Sequence, residues 1–345
     1  MLVVRASVQM GVRVRKDSYR RYPITWFRYT AFVAFLVFSS TSIGYAVDET
    51  SVYPGKLGIA RGKNLSAAER AVEARFAEYL EKHTDEAISR YTAKYGKEIN
   101  TDNARELSVD YAPGGPDADD PATNAARSKW SAAVQEPSSA FSKEIYRRAL
   151  GKVPAPGQRK QVVFTAGGAG VGKTTSIQQM PGLARAVEAA EIIYDTTLSS
   201  LKSSMERIAQ AVAAGRAVSI IFVYRDPIDS FVAGVLPRAE RMGRTLPLEA
   251  FLDTHMGAAD VLVKIAAAYR DDDRVAIAII DNSRGRGNAA LSDIEFVKAA
   301  AAKYRRQELR AKLSNALDEA YEKGKQSEKD GISEAVYRGI KGGAP

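Results

Sequence analysis

Cysteine is absent from this 345-residue chain. Disulfides and thiolate-held metals are thereby excluded, although the absence says nothing of the redox compartment. Histidine is nearly absent too. His83 and His255 stand far apart in sequence, so both are assigned structural or surface places rather than halves of a metal site. Long apolar runs are missing: the stretch from Ala31 to Phe38 falls far short of the ~20 residues that a spanning helix needs. There is no internal repeat. The length suffices for one sizeable core or two small domains, and 45% hydrophobic with 26% charged residues is ordinary for a globular chain.

Positive charge is in excess, formally +9 at pH 7, but it is not spread evenly. Residues 1–46 hold seven arginines and lysines against Asp17 alone, which accounts for six of the nine charges. The remaining body is too weakly basic, and too poor in basic residues interleaved with aromatics, for a broad nucleic-acid footprint. No nucleic-acid partner is expected. The leader continues through "YTAFVAFLVFSSTSIGYA" to Ala46, giving a basic region, an apolar stretch and a small residue at the end, the order of a secretory signal. Export, membrane association and an overcalled start codon are the three readings left open.

Beyond the leader, Ser66 with Glu69 three residues on is a capping-box pattern. Ala71, Phe76, Leu80 and Ile88 follow near helical spacing. "KEINTDNARELSVDYA" reads as a short strand into a turn, and "PGGPDADDPATN", residues 113–124, as a loop. "EPSSAFSKEIYRRAL" is helical. From residue 161 strand-like runs "QVVFTA", "EIIYD", "AVSIIFVY" and "RVAIAIID" alternate with helical patterns at about 173–190, 200–214, 228–242 and 248–268. That alternation predicts an α/β fold with a mostly parallel sheet covered by helices on both faces. Residues 290–329 read as a closing helical segment.

Within the first of these units, "GGAGVGKT" satisfies the phosphate-loop pattern and lies between a strand and a helix. Its residues are Gly167, Gly168, Ala169, Gly170, Val171, Gly172, Lys173 and Thr174, with Thr175 next. Backbone N–H groups of such a turn face phosphate oxygens, and glycines let the chain bend closely around the anion. Lys173 adds positive charge toward the terminal phosphates, Thr174 offers a hydroxyl to Mg²⁺, and the helix N-terminus adds its partial charge.

Phosphoryl transfer also needs a group that orients or deprotonates the nucleophile. Asp102, Asp195 and Asp281 each follow an apolar run and are candidates; the last has the form of a Walker B strand. Arg238, Arg241 and Arg244 fall at a helix end and the loop beyond, where a cluster reaching over the loop would neutralise charge on the transferred group.

"FTAGGAGVGKTT", "IIYDTTLSS", "AGRAVSIIFVYRDP" and "GVLPRAERMGRTLPLEAF" together resemble the zeta-toxin family of P-loop kinases, over about residues 95–290. The resemblance implies ATP and Mg²⁺ at Lys173 and Thr174, and transfer to a hydroxyl of a nucleotide-linked small molecule such as UDP-N-acetylglucosamine or a dinucleotide. It implies a substrate-contacting strand with Asp195 and Thr196 or Thr197. It makes Arg244 one lid arginine, with Arg238 or Arg241 the other, and puts "IIDNSRGRG" near the nucleotide base. An antitoxin-like inhibitory partner is also typical of the family. A kinase needs an ATP-containing cytosol, its own or a recipient cell's, whatever the leader does.

One departure from the family pattern is instructive. No strand with its aspartate separates the phosphate-loop helix from "EIIYDTTLSS"; a strand–Asp–helix unit lies upstream instead. A permuted order is therefore expected, with Asp102 as catalytic base and Glu136 as a substrate-side acid, Asp195 being the alternative base. The expected organisation is a leader at 1–46, a helical segment at 47–94, the kinase domain at 95–290 and a C-terminal helical extension at 291–345. Two other functions compete: a P-loop NTPase doing conformational work with Asp281 as its acid, and a nucleotide-binding effector module without turnover.

Overall fold

The computed structural model describes residues 52–285, 287–327 and 331–342. The leader lies outside them, and the described residues all belong to one compact unit. The Ser66 hydroxyl accepts from the Glu69 N–H while the Glu69 carboxylate accepts from the Ser66 N–H at 2.8 Å, opening helix α1, Ala67–Lys82. Such a cap contributes about 1 kcal/mol. Val72, Phe76, Ala77 and Leu80 form its buried stripe, whereas Ala71 is exposed. The chain turns at His83 into α2, Thr84–Tyr95, so the helical stretch read from the sequence is two helices.

Gly96, at φ 60°, ends α2 and leads to strand β1, Glu98–Asn100. The Asn100 carboxamide accepts from the Asp102 N–H at 2.8 Å and starts the short helix α3, Thr101–Arg105. The proline- and aspartate-rich loop that follows is shorter than its composition implied. Asp120 accepts from the Thr123 N–H at 2.9 Å and caps α4, Pro121–Trp130. Proline breaks helix interiors but fits a first turn, which is why composition misled there. Helix α5 is Gln135–Leu150.

The α/β alternation then runs as the sequence implied. It comprises β2 (Arg159–Ala166), α6 (Lys173–Gln178), α7 (Pro181–Ala189), β3 (Ala190–Thr196), α8 (Leu201–Ala213) and β4 (Ala217–Tyr224). After α9 (Pro227–Ser230) comes a π-helical turn, Phe231–Val235, then α10 (Leu236–Met242), α11 (Leu248–Ala268) and β5 (Val275–Asp281). Strand β6 (Ala290–Ser292) precedes α12 (Ile294–Ala302), α13 (Arg306–Gln326) and α14 (Glu334–Lys341). Strand β6 was not expected; it pairs antiparallel with β5 at the sheet edge.

Among the described residues the sheet order is β1-β3-β2-β4-β5-β6, parallel from β1 to β5. The strand beyond β3 thus comes from upstream of β2. Its register sets the site: Asn100 pairs with Asp195, and Asp195 with Thr165, so three polar residues lie side by side at the carboxyl end of the sheet. Beneath them Tyr146, Phe164 and Tyr194 pack edge-on or tilted with centroids 5.1 to 6.2 Å apart, each pair adding about 1 kcal/mol beyond its burial.

Val72, Leu80 and Tyr91 share one core with Phe164 and Ile220, so packing does not divide the helical segment from the sheet at residue 94. A second cluster joins Phe231 and Phe251 to Leu313, Leu317 and Ile340, seating α13 and α14 against the α10–α11 side. Among the described residues no helix is long and apolar enough to cross a membrane.

Candidate active site

The turn after β2 takes the shape its glycines allow. Gly167, Gly170 and Gly172 have φ of 136°, 75° and 79°, a region that side chains disfavour. A Cβ at Gly170 would stand 2.4 Å from the Ser230 carbonyl oxygen and 3.0 Å from Val235 Cγ2, so the end of α9 and the π-helical turn pack directly on the loop. From the other side Asn282 donates to the Val171 carbonyl at 2.7 Å. Lys173 opens α6 and points across the loop to β3, where Nζ donates to the Thr196 carbonyl at 3.1 Å and lies 2.9 Å from Asp195 Oδ1.

This cradle fits a nucleotide's phosphates. The hydroxyl-bearing Thr174 and Thr175 are exposed in it. Among the described residues no three His, Cys, Asp or Glu side chains gather as a metal site. A Mg²⁺ ion here would thus be held by Thr174 and by the nucleotide's own oxygens, in keeping with that ion's habit of binding through few protein ligands.

Asp195 is held on three sides. Oδ1 also accepts from Thr165 Oγ1 at 2.7 Å, and Oδ2 accepts from Asn100 Nδ2 at 2.9 Å. The strand-end threonines next to it serve the turn. Thr196 Oγ1 accepts from the Leu198 N–H at 3.1 Å, Thr197 Oγ1 lies 2.9 Å from Ser199 Oγ, and Leu198 is buried at φ 58°. A left-handed leucine costs about 1–3 kcal/mol, and such strain is tolerated mainly where function fixes the backbone.

Asp102 reaches the same cleft from the first turn of α3, just after β1. Arg105 lies 3.4 Å from Oδ1 and Arg238 3.4 Å from Oδ2. Its position deep between the cleft walls pushes the carboxyl's pKa up, but Arg105, Arg238, Arg244 and Lys173 outweigh that and bring it to about 2. The side chain nevertheless keeps 39% of its surface open to the cleft. Glu98 also lines the cleft; burial, and then Asp195, raise its pKa. Glu136, in the first turn of α5, lines the same cavity.

The three arginines expected to form a lid separate. Arg238 faces Asp102; Arg241 is exposed on the cleft rim, its carbonyl accepting from Asn124. Arg244 is tied down, donating to Glu106 Oε1 at 2.6 Å. Glu106 is buried and accepts from Arg127 through its other oxygen at 2.9 Å, so Arg244 belongs to a buried ion network as well as to the cleft. Motif reading missed Asn100, Arg105 and Glu106. Their only sequence signal is proximity to Asp102.

Asp281 is buried at the end of β5, where it accepts from the Ser283 N–H at 2.9 Å and pairs with Arg284 at 3.2 Å. It closes its own turn and does not line the cleft, which removes the support for a Walker B acid there. His255 is buried, as a structural histidine, yet only half satisfied. Nε2 donates to the Arg225 carbonyl at 3.0 Å while Nδ1, facing Gly168, has no partner. His83 is exposed on the surface beside Glu86.

The cleft these groups line measures 2990 Å³, whereas small-ligand pockets commonly measure roughly 300–1,000 Å³. There is room for a nucleotide and a second, bulky molecule. Gly285 and Gly287, after β5, form part of its wall. Residues 183–295 match the family described as zeta toxin. That span runs from α7 through the lid arginines to α12, leaving β1, β2 and the phosphate loop upstream. No curated protein matches the chain.

Proposed function

As residues 183–295 make the chain a member of the zeta-toxin family, with a P-loop kinase-like, ATP-dependent activity, we propose that it transfers the γ-phosphate of ATP to a hydroxyl of a nucleotide-linked small molecule. The observation that carries this reading is a line of contacts. Lys173 of the phosphate loop touches Asp195, Asp195 touches Asn100, and Asn100 caps the helix that carries Asp102 in its first turn. Donor cradle and candidate base therefore face one cleft.

Each residue's part follows from its place. Loop amides and Lys173 bind the triphosphate, and Mg²⁺ supplies charge neutralisation where Thr174 holds it. Asp102 accepts the proton as the acceptor's O–H bond breaks, its oxygen bonds to the γ-phosphorus, and the bond from that phosphorus to ADP breaks. At so low a pKa Asp102 is a weak base, which suits a loose transition state in which the proton moves late and orientation matters most. Arg238 and Arg241 stand where they would meet phosphate charge. Glu136, Asp195 and the strand-end threonines line the acceptor's side. The cleft's size supports a two-part acceptor such as UDP-N-acetylglucosamine or NAD. An inhibitory protein partner and action in an ATP-containing cytosol belong to the same proposal.

The test is incubation of the protein with ATP, Mg²⁺ and, separately, UDP-N-acetylglucosamine, NAD and a metabolite extract. Mass spectrometry should find one species heavier by a phosphate, absent with Lys173→Ala. ATP consumption without any phosphorylated acceptor would sink the reading.

A further inference from the structure

This inference rests on the reading of Asp102 as the base. Positive charge reaches Asp102 from three elements: Arg105 on its own helix, Arg238 on α10 with Arg244 just beyond, and Lys173 on α6. The acidic groups on the surrounding walls are Glu98, Glu106, Glu136 and Asp195, with the Tyr111 phenol behind.

The two arginines nearest the carboxylate differ in freedom. Arg238 is 42% exposed and touches Asp102 through a single nitrogen. Arg105 is 16% exposed and braced at the α4–α5 corner, where it donates to Gln135 Oε1 and, at 3.4 Å, to Ser131 Oγ. A triphosphate bound over Lys173 offers Arg238 several charge-assisted hydrogen bonds in place of one long contact. Arg105 has no such alternative within its brace. We propose that Arg105 is a positioning residue that keeps the Asp102 carboxylate in place and charged once bound nucleotide has drawn Arg238 away.

The need for it follows from what else changes on binding. The incoming phosphates bring negative charge close to Asp102, and burial already favours its neutral form. Loss of Arg238 to the nucleotide removes a second counter-charge. With Arg105 also gone, the carboxylate has lost both arginines that contact it, and burial together with the phosphates drives its pKa upward.

The experiment compares the full chain with Arg105→Gln and Arg105→Lys. Transfer to UDP-N-acetylglucosamine or NAD is followed from about pH 3 to 9, and the Asp102 carboxyl is titrated by ¹³C NMR with a non-hydrolysable ATP analogue bound. The signal is assigned by its loss in Asp102→Asn. Arg105→Gln should move the carboxyl titration up by about one to three pH units and bring the acid limb of kcat into the measured range. KM for ATP should change less than about twofold, and Arg105→Lys should restore most of the parent profile, since a nearby charge of either type favours the ionised acid. A uniform loss of kcat with no shift in either titration would assign Arg105 a structural role and overturn the proposal. If the parent transfers no phosphate, the reading of Asp102 as a kinase base fails on its own, while the carboxyl titration still decides whether Arg105 governs that group.

Discussion

Lys173 Nζ lies 2.9 Å from Asp195 Oδ1, and Thr165 donates to that same oxygen at 2.7 Å. The phosphate-loop cation is thus held by the neighbouring strand. A triphosphate must compete for it. Lys173→Ala should remove the charge that both binds and stabilises the transferred group, lowering kcat/KM by at least about a hundredfold. Circular dichroism should show the fold unchanged. Near-parental turnover in the variant would mean that the loop's lysine is not at the reaction centre.

The cations around Asp102 hold its carboxyl at about 2, well below the ordinary carboxylate range, so it is ionised at neutral pH. Asp102→Asn keeps the shape and removes the proton acceptor. It should lower kcat by about 10²–10⁴ and leave ATP affinity, measured by calorimetry, within about twofold. If Asp195→Asn shows that split between kcat and affinity and Asp102→Asn does not, the base is on β3.

Much of this site was legible because its parts are local. A phosphate loop announces itself through glycines that only one backbone shape requires, and the strand before Asp195 through an apolar, β-branched run. Asp102 was legible less directly, from a strand–Asp–helix unit missing at one place in the chain and present at another. Glu106, Arg105 and Arg127 were not legible. Their role comes from burial and mutual distance, created when α3, α4 and the segment after α10 meet, and no spacing along the chain encodes that meeting. The Arg238–Arg241–Arg244 spacing suggested a common face, but Arg244 leaves the helix after Gly243, at φ 65°, and turns to Glu106.

Glu106 carries two arginines, Arg127 and Arg244, with its carboxylate almost wholly out of water. Glu106→Gln removes the carboxylate charge that both guanidinium groups contact. The expected cost is about 3–5 kcal/mol, the range for breaking a buried pair from one side. Urea unfolding would measure it; a change under about 1 kcal/mol would show that water reaches the network.

His255 bears on pH. Burial lowers its pKa to about 4, against 6.5 for the free side chain. The unfolded chain therefore binds the proton first as pH falls, so this group's contribution is complete above about 6.5 and lost progressively between 6.5 and 4. Its full size is about 3 kcal/mol. Unfolding free energy measured at several pH values should fall more steeply over that window in the parent than in His255→Asn. Equal slopes would mean that the imidazole titrates normally in the folded protein.

Gly234 lies in the π-helical turn, and a Cβ there would stand 2.5 Å from the Gly170 carbonyl oxygen and 2.8 Å from its Cα. Both are backbone atoms of the phosphate loop, so the contact cannot be relieved by rotating a side chain. Gly234→Ala has opposing effects. Alanine favours helical backbone by up to about 1 kcal/mol, whereas the clash must displace either the turn or the loop. Because Gly170 adopts a φ open chiefly to glycine, and its N–H belongs to the phosphate cradle, displacement should appear as weaker nucleotide binding. About tenfold in the ATP dissociation constant corresponds to 1.4 kcal/mol, a modest strain for such a contact. Thermal stability should move little, since the helical gain offsets part of the strain. An unchanged ATP affinity with lower stability would place the whole displacement in the π-helical turn and show the cradle to be stiffer than the element packed against it.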